Sequence, residues 1–236
     1  MKIYRVIDFE TTGFPPGAGI VEVGWTDVFE DKVISMEPKW HGELCNPQIP
    51  INVEAQAVHH ISAEDIQDAR APEGILTEIQ EGADYFVAHN AAFECKFFMP
   101  EKAPYICTMK AAQKIIPEAP GFSNQVLRYH LGVDKDPRFD PAMAMPPHRA
   151  GPDTYVTGFL LMELLKKGFT GEQLVEFTGP PALHQVIPFG KHKGKEWKNV
   201  PRDYIMWLLS QGPQEDIRAS IQHYLGIGNP RDDAEV

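Results

Sequence analysis

The stretch Ile3-Tyr4-Arg5-Val6-Ile7-Asp8-Phe9-Glu10-Thr11-Thr12-Gly13 opens the chain with an apolar run that ends in two acids. Ile3, Val6 and Ile7 read as a buried β-strand over residues 3–8. Asp8 and Glu10 stand two apart at its end, and on an extended backbone that spacing points both carboxylates to one face. Like charges held so close repel unless a cation lies between them. Hard oxygen ligands of this kind suit magnesium or manganese rather than zinc.

Outward from that strand the pattern alternates. A Gly/Pro loop containing Gly13, Pro15, Pro16, Gly17 and Gly19 leads to a second strand over 20–28, and a third is expected from Lys32 into the low forties. Helical patterns follow near 52–59 and 73–81. Tyr85–Ala88 reads as a short buried strand feeding a helix from Ala91 to Met99, stopped by Pro100. Tyr105–Cys107 is another short strand, with Thr108 as N-cap of the next helix. Residues 123–131 look helical, with Val126, Leu127 and Leu131 on one face, whereas the four prolines between 134 and 147 speak against regular structure there. Val156, Phe159, Leu160, Leu161 and Leu164 give a long helix from about 150 to 166 with a core-facing stripe. Strands alternating with helices in this order predict an α/β fold with helices on both faces of the sheet.

The chain has 236 residues, 43% hydrophobic and 23% charged, which fits one sizeable domain with a small appendage. No run has the length of a membrane span and no signal-peptide core precedes Asp8, so a cytoplasmic protein without membrane contact is expected. Cys45, Cys95 and Cys107 are odd in number and lack CxxC spacing, which argues for plain thiols and against a disulfide framework or zinc site. The net charge of -11 argues against a protein that coats DNA along its whole surface, yet residues 184–207 carry a local net charge of +3.

Two further stretches carry chemistry. Ala88-His89-Asn90-Ala91-Ala92-Phe93-Glu94 places Glu94 one turn into the helix after the fourth strand, and His148 precedes Asp153 by five positions near the start of the long helix. Groups at the carboxyl ends of strands in an open α/β sheet line one crevice. Convergence of Asp8, Glu10, Glu94 and Asp153 there makes a site for two divalent cations. Such a site activates water and stabilises the leaving oxygen of a phosphodiester, with a histidine to take the proton. Asn90 reads as an N-cap, His89 as a structural residue and Phe93 as core. His59 and His60 are structural or substrate-adjacent rather than metal ligands.

At these residues the chain resembles the DEDD exonuclease superfamily in its histidine-bearing branch. Asp8-Phe9-Glu10-Thr11-Thr12-Gly13 is similar to the first motif of that family, His89 to Glu94 to its second, and His148 with Asp153 to its third. Ala55-Gln56-Ala57-Val58-His59-His60-Ile61 resembles a further family stretch, and the likeness covers roughly residues 3–167. The resemblance implies a ribonuclease-H-like mixed sheet and two Mg2+ or Mn2+ ions held by Asp8, Glu10, Asp153 and Glu94, with His148 as general base. It also implies 3′→5′ hydrolysis that releases nucleoside 5′-monophosphates. Thr11, Thr12 and Phe14 would cradle or wedge the terminal nucleotide, with His60 and Asn90 beside it; Phe14 packing its own loop is the alternative. The departure is Glu94, where the family has aspartate.

Thr178-Gly179-Pro180-Pro181 is the expected boundary between an exonuclease domain, 1–178, and a small α-rich basic module, 183–228, with a tail over 229–236. The module holds Phe189-Gly190-Lys191-His192-Lys193-Gly194-Lys195 and then Tyr204 and Trp207 three apart on a helix. This stretch resembles the tail of a bacterial exodeoxyribonuclease of the same superfamily, which implies DNA as substrate. Physically, glycines let the backbone approach a phosphate while Lys191, Lys193 and Lys195 supply charge. Tyr204 and Trp207 either stack on bases or pack a small core. An exoribonuclease and a catalytically weak nucleic-acid-binding protein are the alternatives. No apolar stripe indicates an oligomer.

Overall fold

The computed structural model describes residues 1–179, 183–211, 213 and 215–227. Its contacts group the chain into two compact units, Met1–Thr178 and Gly179–Val236. The expected tail, 229–236, lies outside the described residues.

The first unit is built on a six-stranded mixed sheet. Strand β1 (Lys2–Thr11) pairs antiparallel with β2 (Ile20–Glu30), and β2 pairs antiparallel with both β3 (Ile34–Met36) and β4 (His41–Leu44). After α1 (Val53–His59), α2 (Ala63–Ile66) and α3 (Pro72–Glu78), β5 (Tyr85–Ala88) runs parallel to β1 on its other side. Next come α4 (Ala91–Glu94) and β6 (Tyr105–Cys107), the latter parallel to β5. Helices α5 (Thr108–Ile115), α6 (Asn124–His130), α7 (Ala150–Lys166) and α8 (Gly171–Thr178) complete the unit.

The pleat of β1 sorts its side chains between two cores. Ile7 and Phe9 join Val23, Phe86 and Ile75 on one face, while Tyr4 and Val6 join Val28, Val87 and Leu161 on the other. Asp8 and Glu10 continue the Tyr4–Val6 row by the period of two, which aims them toward the α7 side. Helix α7 is buried on nearly every side rather than along one stripe, as expected of a helix that is apolar all round. Its first turn lies so close to β2 that a Cβ on Gly24 would collide with the Ala150 backbone. That close approach brings the start of α7 over the carboxyl end of β1.

Four expectations change in detail. The third strand divides into β3 and β4, on either side of Pro38, a residue that has no N–H for a ladder. Helix α4 ends at Glu94 and the chain continues in tight turns, with Phe97 N–H donating to the Glu94 carbonyl at 3.0 Å, so the predicted run to Met99 is not helical. Residues 134–147 contain two short 3-10 turns, Val133–Lys135 and Pro141–Ala144. Thr108 is the first residue of α5 and does not cap it; its hydroxyl meets the His89 ring instead. The three cysteines are free thiols.

In the second unit Val186 bridges to Glu196, and Ile187 exchanges backbone hydrogen bonds with Gly194 and Lys195. Helices α9 (Arg202–Ser210) and α10 (Glu215–Leu225) close a separate core around Trp197, Ile205, Leu208 and Ile221.

Candidate active site

The carboxylates of Asp8, Glu10 and Asp153 offer oxygens that all lie within 4.8 Å of one another. Two come from the end of β1 and the third from the first turn of α7, 143 positions beyond Glu10. Asp153 is held from several sides. Its Oδ2 accepts the His148 N–H at 2.9 Å, its Oδ1 lies 3.5 Å from Gln125 Nε2, and its carbonyl accepts from Asn124 Nδ2 at 3.2 Å.

Burial pushes every one of these acids toward its neutral form. Glu10 is raised to about 8 by desolvation and by the charges of Asp153 and Glu22. Asp8 is raised well above the usual carboxylate range by burial, then by Asp153, Glu10 and Glu94. Asp153 is raised by burial against the opposing hydrogen bond from His148. Glu94 is only 4% exposed, rises to about 8 through burial, and its Oε2 has no hydrogen-bond partner among the described residues. It does not belong to the 4.8 Å group, although its charge acts on both Asp8 and Glu10. Three clustered, half-buried carboxylates stand beside a buried glutamate with an oxygen unpartnered among the described residues, and the opposing charges of Arg149 and His148 do not offset the upward push on Glu10 and Asp153. Hard divalent cations supply that compensation, so the donor set fits them.

His148 sits on the loop just before α7 with φ 61°, a left-handed conformation uncommon outside glycine, and its side chain is exposed. The neighbouring Arg149 carries a pair that sequence reasoning missed. Its Nε and Nη2 donate to the two oxygens of Glu22 at 2.9 and 2.6 Å, and the Ala150 N–H donates to the same carboxylate at 3.0 Å. Glu22 is opposite Glu10 in the β1–β2 ladder. An acid inside the apolar run Ile20–Val23 was the only sequence signal for it.

A cavity of about 310 Å³ opens beside the acids and shares Glu10 with them; Thr11, Phe14, Asn52, His59 and Phe93 also line it. Its floor is fixed locally. Thr11 gives its hydroxyl to the Gly13 carbonyl at 2.7 Å, and a Cβ on Gly13 would collide with the Asn52 amide. His59 Nδ1 accepts the Ile61 N–H at 3.0 Å while Nε2 faces the Thr11 carbonyl at 3.2 Å, so the proton resides on Nε2. Burial lowers its pKa and keeps the ring neutral.

Other predicted residues are placed differently. Phe14 is 85% exposed and meets Phe93 edge to face at 6.2 Å, while Phe93 is half-buried in the cavity wall rather than core. Thr12 is buried and accepts the Gly19 N–H at 3.0 Å, which closes its loop; it does not line the cavity. His60 is exposed, caps α1 in the left-handed region and stays outside the cavity. Asn90 precedes α4 but makes no side-chain cap. His89 is structural, bonded to Thr108 Oγ1 at 2.9 Å and the Phe122 carbonyl at 2.8 Å, and burial lowers it to about 4. Lys191, Lys193 and Lys195 are exposed on the second unit.

An open mixed sheet of this order, with carboxylates gathered from the end of its first strand and a late helix, defines the ribonuclease-H-like exonuclease class. The family described as Exonuclease matches residues 6–161, and the chain belongs to it. It is 33% identical over 229 residues to Exodeoxyribonuclease 10 of Escherichia coli strain K12, covering 94% of this chain and 98% of that one. It is 27% identical over 177 residues to the 3′-5′ exonuclease DinG of Bacillus subtilis, covering 70% of this chain and 18% of that one. Among solved structures, Exonuclease X in complex with 5′ overhanging duplex DNA matches with TM-score 0.63 and 32% identity, over 75% of this chain and 99% of that one. The nuclease domain of 3′hExo bound to rAMP shares the fold, with TM-score 0.53 and 15% identity over 73% of this chain and 94% of that one. Residues 181–228 match a second family, described as a putative quorum-sensing-regulated virulence factor. The exonuclease fold implies divalent metal ions, and an acidic cluster suited to them is present. None of the described helices is long and apolar enough to cross a membrane.

Proposed function

We propose that this chain is a 3′→5′ exodeoxyribonuclease of the cytoplasm that releases nucleoside 5′-monophosphates from DNA ends, using two divalent cations, Mg2+ or Mn2+. The exonuclease activity follows from family membership and from 33% identity to Exodeoxyribonuclease 10 along nearly the whole chain. The observation that supports the metal reading is the convergence of Asp8, Glu10 and Asp153 within 4.8 Å. These three would hold the cations, and Glu94, whose buried Oε2 has no partner among the described residues, would be a further ligand. When bound, the cations supply Lewis-acid stabilisation of the charge that builds on the scissile phosphate.

The side chains do the rest. His148, exposed and with its backbone N–H on Asp153, takes the proton from the attacking water, the part an imidazole plays more often than any other side chain. The Thr11 backbone and the Phe14 ring bound the cavity that receives the terminal nucleotide, with His60 and Asn90 on its approaches. Residues 1–178 form the catalytic domain, and 183–228 a basic module whose Lys191, Lys193 and Lys195 contact the DNA backbone.

The test is release of mononucleotides from a labelled single-stranded DNA oligonucleotide with Mg2+ or Mn2+, beside an RNA of the same sequence. DNA is expected to be cleaved from its 3′ end, and Asp8→Asn is expected to abolish cleavage. Wild-type protein as inert as Asp8→Asn with both metals would overturn the assignment; faster cleavage of RNA would move the substrate to RNA.

A further inference from the structure

The second unit fills its own core without Trp207. Trp197 occupies the centre, and its indole N–H donates to the His184 carbonyl at 2.6 Å. Trp207, on α9, is left 53% exposed. A unit this small has little apolar surface to spare, so an indole turned to solvent contributes less to stability than it would if buried. Between it and the basic turn stands Tyr204. The Tyr204 ring lies 5.4 Å from that of Trp207 and 4.6 Å from the buried ring of His192. Gly190 approaches so near that a Cβ there would stand 2.8 Å from the Tyr204 hydroxyl. The turn carrying exposed Lys191, Lys193 and Lys195 therefore rests on the same tyrosine that flanks the exposed tryptophan.

We propose that this face of the C-terminal unit is a docking platform for single-stranded DNA, with bases stacked on Trp207 and phosphates held by the Lys191–Lys195 turn. Charge selects a polyanion: residues 184–207 carry a net charge of +3 in a chain of net charge -11. The indole selects among polyanions. Unstacked bases present π-faces to an aromatic ring, whereas duplex bases are covered by their neighbours and acidic peptides offer none. The identity of the ligand rests on the nuclease reading above, but the platform does not require a 3′ end. It would hold a strand internally while the end is processed elsewhere on the chain.

Closed circular single-stranded DNA isolates this property, because it has no end for the active site to take. Binding of a labelled oligo(dT) circle to the full chain is measured by anisotropy in EDTA, where no hydrolysis proceeds. Trp207→Ala is expected to weaken binding roughly 5- to 160-fold, the range for losing one base–aromatic stack, and Trp207→Phe to retain most of it. Replacing Lys191, Lys193 and Lys195 together by glutamine is expected to reduce the slope of log affinity against log salt by about 2. An unchanged affinity of Trp207→Ala for the circle would overturn the platform, as would competition by duplex circles or polyglutamate as effective as that by the single strand. Cleavage of linear DNA without circle binding removes the platform and leaves the enzyme; circle binding without cleavage does the reverse.

Discussion

The guanidinium of Arg149 meets the carboxylate of Glu22 at two points, 2.9 and 2.6 Å, and so ties the residue after His148 to the strand opposite Glu10. Glu22 is 5% exposed, and it also receives the Ala150 N–H. One carboxylate thus anchors two consecutive residues where α7 begins, Arg149 by its side chain and Ala150 by its backbone. Glu22→Gln weakens two charge-assisted bonds, at a cost of about 1.5–3 kcal/mol. Arg149→Lys keeps the charge but loses the two-point fork. Both variants are expected to lower kcat at least 10-fold with a smaller change in KM, Arg149→Lys less than Arg149→Ala. Steady-state kinetics beside thermal melts check this, and full kcat in Arg149→Ala would refute it.

Protonation of the acidic cluster gives a pH dependence of known sign. Glu10 and Glu94 hold their protons to about pH 8 in the folded chain, whereas an unfolded glutamate releases its proton at about 4.3. Between those values the folded state binds more protons, so stability falls as pH rises through the window and levels off above it. Metal-free protein is therefore expected to melt at a lower temperature at pH 8 than at pH 6. Mg2+ or Mn2+ should raise Tm more at pH 8, where the carboxylates it binds would otherwise repel. Melts in EDTA and in excess metal at the two pH values test this, and Glu94→Gln should flatten the metal-free trend.

Glu94 is where the chain departs from the aspartate of the family motif. It is buried, and its Oε2 has no hydrogen-bond partner among the described residues, so that oxygen is not held by another protein group there. Glu94→Asp is expected to preserve or raise turnover, and Glu94→Ala to lower it about 100-fold or more, since sites of this kind are sensitive to shifts of an ångström. A large loss in Glu94→Asp would mean that the glutamate is specifically accommodated.

Much of this arrangement is written locally. The apolar runs of β1, β2, β5 and β6 and the long α7 mark themselves by composition, and the period of two assigns Asp8 and Glu10 to one face. What local pattern does not carry is partnership across the chain. Glu22 and Arg149, 127 positions apart, each look like an ordinary charge until the antiparallel β1–β2 pairing and the Gly24 approach bring them together. The end of α4 is also a tertiary outcome. Phe98 turns into the core beside Phe9 and Phe86, and the chain leaves helical geometry at Glu94 to put it there.

Phe14 separates a role toward substrate from a role in folding. Its ring is 85% exposed and touches Phe93 only edge to face, so Phe14→Ala is expected to shift stability by no more than about 0.5 kcal/mol. The same ring bounds the cavity that contains Glu10, where a terminal base would find its face. Loss of one stacking partner corresponds to about 1–3 kcal/mol. Phe14→Ala should therefore lower kcat/KM roughly 5- to 160-fold at an unchanged Tm, with Phe14→Tyr close to wild type. A fall in Tm without a fall in kcat/KM would show instead that the ring serves its own loop.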